Sequence, residues 1–230
     1  KNWLRETLVP VNPHTGIPLK DDPAIAIVQI QNEDSLLFWT FNSLGGEDLD
    51  LLRKQFGQWL ATKYGSLGKA RAAWQNAGPQ GERVPDDWNA GLIGFSNLWA
   101  YFQPNLNTGG LGVRMSDEAQ FLVETMAAWN KEVERFLREE IGAKHLVNAG
   151  NWKTADPLRL TDLERLSYMP NGVIGLNRYT GSLHKGPAEG WAVAKGDIFQ
   201  DESVLLDPDR LPVAVKQPQG RPFIISEGLW

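Results

Sequence analysis

The stretch Ala-Ile-Ala-Ile-Val-Gln-Ile-Gln-Asn-Glu, residues 24–33, reads as a strand of a parallel sheet. It is short, rich in β-branched residues and bounded by turn-formers, the pattern of a strand buried on both faces. A second run, Arg-Pro-Phe-Ile-Ile-Ser-Glu at 221–227, has the same build and also closes on a glutamate. A carboxylate at the C-terminal mouth of a buried strand has no structural task there. Glu33 and Glu227 stand near opposite ends of the chain, so folding alone can unite them as a pair of catalytic acids.

Between the two strands the periodicity turns helical. Leu49, Leu52, Phe56, Trp59, Leu60 and Tyr64 recur at 3–4 spacing over residues 47–64, which predicts an amphipathic helix ended by Gly65. Ser66 then caps a shorter helix running to about Gln75. Residues 76–113, rich in Gly, Asn and Pro, read as an insertion of the long-loop kind that often carries function. A stronger helix is expected from Ser116-Asp117-Glu118 along Leu122, Met126, Trp129, Val133, Phe136, Leu137 and Ile141, stopping at Gly142. Residues 145–152, a short helix at 161–168 and a strand at 172–179 follow, and a long loop carrying Trp191 leads to the last strand.

Strands that alternate with helices argue for parallel βα units. Their ends are polar or aromatic: Asn32-Glu33, Asn151-Trp152, Asn177-Arg178-Tyr179, and Glu227 with Trp230. That is the layout of a (β/α)8 barrel active site, built at the C-terminal edge of the strands. A doubly wound sheet gathers polar groups in the same way at its switch point. No Gly-rich phosphate loop follows any strand here, which weighs against a nucleotide protein.

A net charge of −5 over 230 residues gives no electrostatic case for nucleic acid or an acidic membrane. No run approaches the roughly 20 apolar residues of a membrane span. With no cysteine and three histidines, none at zinc-helix spacing, neither a metal nor a cofactor is expected. The ten tryptophans stand out. Trp59, Trp74 and Trp129 fall on helical patterns and are expected in the core, whereas Trp39, Trp152, Trp191 and Trp230 fall in loops or near strand ends. A flat indole there suits the apolar face of a sugar. The chain opens on Lys1 and stops at Trp230, which reads as a segment of a longer protein.

The region from Asn12-Pro-His-Thr-Gly through Asp21-Asp22-Pro and on to Asn32-Glu33 resembles the fourth strand of clan A retaining glycoside hydrolases. These are (β/α)8 enzymes that include cellulase-like, mannanase-like and β-galactosidase-like families. The stretch from Gln55 to Trp74 resembles the helical segment after that strand, and Gly220 to Glu227 looks like the seventh-strand nucleophile motif. The resemblance covers strands four to seven, so residues 1–230 would form part of a TIM barrel completed by the parent chain.

By this resemblance Glu33 is the general acid/base and Glu227 the nucleophile. Asn32 would bond the sugar 2-hydroxyl, and Tyr179 matches a tyrosine that touches the nucleophile in many relatives. Relatives often carry His where this chain has Asn177, so that contact is altered. Trp39, Trp152, Trp191, Trp230 and Asn177 would line the substrate site. Retaining hydrolysis needs the two carboxyls about 5–5.5 Å apart and in opposite protonation states, and each charge favours the proton on its neighbour. The implied substrate is a β-linked oligo- or polysaccharide, and a polysaccharide would favour a secreted or periplasmic setting. The alternative is a carbohydrate-binding pseudoenzyme on the same barrel.

Overall fold

The computed structural model describes residues 1–81, 83–106, 108–152, 159–179, 183–185, 195–196, 198–200 and 218–229. Its helices are α1 (Asn2–Leu8), α2 (Gly46–Tyr64), α3 (Leu67–Ala73), α4 (Gly109–Arg135) and α5 (Thr161–Tyr168). The strands are β1 (Ile27–Gln29), β2 (Leu146–Asn148), β3 (Ile174–Tyr179), β4 (Leu183–Lys185), β5 (Ile198–Gln200) and β6 (Phe223–Leu229). No described helix is long and apolar enough to cross a membrane.

The helix boundaries follow from capping chemistry. Gly65 closes α2 in the left-handed region at φ 81°, a conformation that costs glycine nothing. The Ser66 hydroxyl accepts from the Lys69 N–H and opens α3. One boundary departs from expectation. Helix α4 begins at Gly109 rather than Ser116, because its first turn is pressed onto the end of α3. A Cβ on Gly110 would lie 2.1 Å from the Trp74 carbonyl oxygen, so this glycine serves close packing and not a loop. Helix α4 then runs into a π-helical turn, Phe136–Ile141, and ends at Gly142 with φ 76°.

The four strands expected to be parallel pair in parallel. Val28 of β1 lies opposite Val147 of β2, a bridge joins Asn148 to Val173 just before β3, and Leu176 of β3 faces Ile225 of β6. They form two two-stranded parallel sheets, β1 with β2 and β3 with β6, linked by that one bridge. The long loop after β3 holds an antiparallel pair, β4 with β5, that the sequence pattern did not reveal. These strands of three residues are too short to show alternation.

Most of the core lies among the helices. Phe56, Leu60, Trp74, Phe95, Leu98 and Leu122 are at most 1% exposed and form one cluster. Residues 93–101 of the segment read as an insertion thus lie partly in this core, with Ile93 and Phe95 against α2 and α4. Beside them Arg114, fully buried, bonds the Asp86 and Glu118 carboxylates, and the Tyr101 hydroxyl donates to Glu118 at 2.7 Å. Burial and the adjacent Glu118 charge hold the Tyr101 phenol well above its ordinary pKa. A third acid, Asp117, accepts from Trp74 Nε1, Tyr64 and Lys63. Trp129 departs from expectation and is 50% exposed. Its place in the inward stripe is taken by Asn130, whose amide donates to the Ser167 carbonyl at 2.9 Å.

Candidate active site

At the end of β1 the ladder outlasts the strand. The Ile30 and Gln31 N–H groups still donate to the Asn148 and Ala149 carbonyls, at 2.9 and 3.1 Å. The chain then leaves the sheet, because Glu33 adopts φ 40°. That left-handed conformation costs a residue with a Cβ roughly 1–2 kcal/mol, so something must hold it. Two amides do. The Glu33 N–H donates to Asn151 Oδ1 at 2.9 Å, and Asn177 Nδ2 donates to the Glu33 carboxylate at 2.6 Å.

Asn151 is the hub of the site. It is 1% exposed at the tip of β2, and its Nδ2 donates to Asn32 Oδ1 at 2.8 Å and to Glu227 Oε1 at 3.3 Å. The Asn177 N–H donates to its carbonyl at 2.6 Å, tying the tips of β2 and β3 together. One side chain thus contacts the backbone of Glu33, the amide of Asn32 and the carboxylate of Glu227. Sequence reading noted Asn151 at a strand mouth but assigned it no role. The only available signal was an asparagine ending an apolar run, and that pattern also fits a plain turn.

Glu227 sits on an irregular part of β6. Leu176 pairs with Ile225 and Arg178 with Gly228, so a bulge falls on Ser226-Glu227. Bulges re-aim side chains and recur beside functional sites. Three buried polar atoms around this edge have no partner among the described residues: Asn177 Oδ1, Trp152 Nε1 and Ser226 Oγ.

The aromatic residues divide. The Trp152 ring meets Phe38 edge-on at 4.3 Å, and Trp39, 44% exposed, meets Phe102 edge-on at 6.0 Å. Tyr179 pairs with Leu229 through the β3–β6 ladder. Its side chain, Trp191 and Trp230 lie outside the described residues. Asp34, read as a loop or cap acid, accepts from the Ser35 N–H and the Thr40 hydroxyl within its own loop.

No family model matches the chain, and no curated protein does. Among solved structures the chain is similar to an agarase at 18% identity and a TM-score of 0.46, over 70% of this chain and 22% of that one. This chain therefore matches less than a quarter of the agarase chain, and at that level of likeness no substrate or mechanism transfers.

Proposed function

We propose that Glu33 and Glu227 are the acid/base and the nucleophile of a retaining β-glycoside hydrolase, carried on strands four to seven of a (β/α)8 barrel. The observation that carries this reading is the Asn151 amide, which bonds both the Glu33 backbone and the Glu227 carboxylate. Two glutamates from strands far apart in sequence meet at one polar hub, on the C-terminal edge of parallel strands.

The chemistry follows from the placement. Glu227 attacks the anomeric carbon while Glu33 protonates the departing oxygen, and Glu33 then takes a proton from the water that releases the glycosyl-enzyme. Asn177 fixes the orientation of the Glu33 carboxyl, and Asn32 offers an exposed amide to the sugar. The unpartnered indole N–H of Trp152 and Asn177 Oδ1 are suited to sugar hydroxyls, since a buried polar atom left unpaired costs about 1–3 kcal/mol. Trp39 and Trp152 supply flat apolar surface beside them.

Trapping tests the reading. Incubation with a panel of activated 2-deoxy-2-fluoro-β-glycosides, followed by peptide mass spectrometry, should place a covalent sugar on Glu227. Glu33→Ala should slow turnover by about 10²–10⁴-fold, with azide restoring part of it. Sugar binding without turnover or adduct would instead mark a pseudoenzyme.

A further inference from the structure

Behind the candidate site stands a buried carboxylate with no part in the proposed chemistry. Glu164 of α5 is fully buried. Its Oε2 accepts from the Ser35 hydroxyl at 2.9 Å, and its Oε1 accepts from the Tyr168 hydroxyl at 2.6 Å. Each hydroxyl also meets one of the strand tips. Ser35 Oγ accepts from Leu37 at 3.0 Å, which closes the turn that follows Glu33. The Tyr168 hydroxyl packs against the tip that carries Asn151, where a Cβ on Gly150 would stand 3.0 Å from it, and the Trp152 backbone holds the phenol's pKa down from the same side. Two routes therefore start at one carboxylate and reach the two strand tips that carry the site, one by hydrogen bonds through Ser35 and one by a hydrogen bond to Tyr168 and its close packing on Gly150.

We propose that Glu164 is a positioning residue, holding the Glu33 turn and the Asn151-Trp152 tip in fixed relation from behind. The inference rests on the glycosidase reading for its catalytic consequence, though not for its geometry. A free acid is a costly anchor in a core, and an apolar side chain would pack without that cost. What the carboxylate supplies is two acceptors aimed at hydroxyls from different elements. Gly150 shows how tight the junction is, since a Cβ there would stand 3.0 Å from the Tyr168 hydroxyl. On its remaining side Glu164 borders a cavity of about 470 Å³, also lined by Gln31, Thr40, Met126 and Trp129.

The two routes separate by mutation. Ser35→Ala should speed amide exchange in residues 33–37 alone, and Tyr168→Phe in residues 150–152 alone. Glu164→Ala, which removes both acceptors, should loosen both. Exchange across α4 and α5 should stay at the wild-type rate in all three. For the reaction, each variant should lower kcat by about 10-fold or more with KM little changed, because misplacement of reacting groups acts on the transition state. Exchange that rises throughout α5, or is unaltered at both tips, overturns the proposal. So does a wild-type kcat in the presence of the local exchange changes. If the wild-type chain turns nothing over and accepts no label on Glu227, the glycosidase reading has failed, and the exchange pattern alone decides whether Glu164 holds the two tips.

Discussion

At the scale of single residues, acids with different surroundings have different tasks. Glu33 and Glu227 are both bonded by the Asn151 side chain, while Asp117 and Glu118 are bonded within the core. Glu164 belongs to neither group, and its titration is measurable. Burial raises its pKa from 4.5 to about 7, assisted by the Asp34 charge and opposed by the Tyr168 and Ser35 hydrogen bonds. In the unfolded chain the same carboxyl loses its proton near 4.5. Between those two pH values the folded chain holds more protons, so stability falls as pH rises and the loss is complete above the folded pKa. The term is on the order of 3 kcal/mol. Gln at position 164 cannot ionise, so wild type should lose stability relative to Glu164→Gln between pH 4.5 and 8. Urea midpoints for both proteins at pH 5 and pH 8 measure this, and parallel shifts would refute it.

At the scale of elements, glycines decide how closely the layers approach. Gly57 lies within α2, where alanine is ordinarily better by about 1 kcal/mol. Here a Cβ would fall 2.2 Å from the Gly91 carbonyl oxygen, so Gly57→Ala should destabilise by about 1–3 kcal/mol. Gly68 in α3 has nothing nearer than the Ser66 hydroxyl at 4.0 Å, and Gly68→Ala should stabilise by about 0.5–1 kcal/mol. Thermal denaturation of the pair should therefore move in opposite directions. In the sheet, Gly175 plays a comparable part. Its N–H donates to the Asn148 side chain at 3.0 Å, and a Cβ would meet that amide at 2.4 Å. Such a contact joins β2 to β3 through a side chain and leaves no trace in hydrophobic periodicity.

At the scale of the molecule, burial is uneven across the parallel strands. Val147 of β2 and Ile174 of β3 are fully buried, while β1 is half-buried along its length and Ile225 of β6 is 38% exposed. Each of β1 and β6 is paired along one side only among the described residues. An uncovered strand edge templates further pairing. The 230-residue chain should accordingly self-associate with rising concentration and bind a hydrophobic dye, which sedimentation and fluorescence would register. A monodisperse monomer with one sharp thermal transition would count against the partial-barrel reading and favour an open sheet.

The amino-acid pattern alone determined the order of α2 to α5 and the four parallel strands, though neither α1 nor the β4–β5 pair. Helix α2 with its Gly65 stop, the Ser66 cap, α5 and the parallel strand runs all follow from local periodicity and capping, which act within a few residues. It also read Glu33, Glu227 and Asn177 as strand-end residues, whereas Glu33 lies beyond β1, and Asn177 and Glu227 lie within β3 and β6. Tertiary structure decided the rest. The early start of α4, the outward turn of Trp129, the left-handed Glu33 and the junctions at Asn151 and Glu164 depend on contacts between residues far apart in the chain. Those contacts are made by side-chain amides and carboxylates, whose hydrogen bonds are set by three-dimensional position and carry no sequence period.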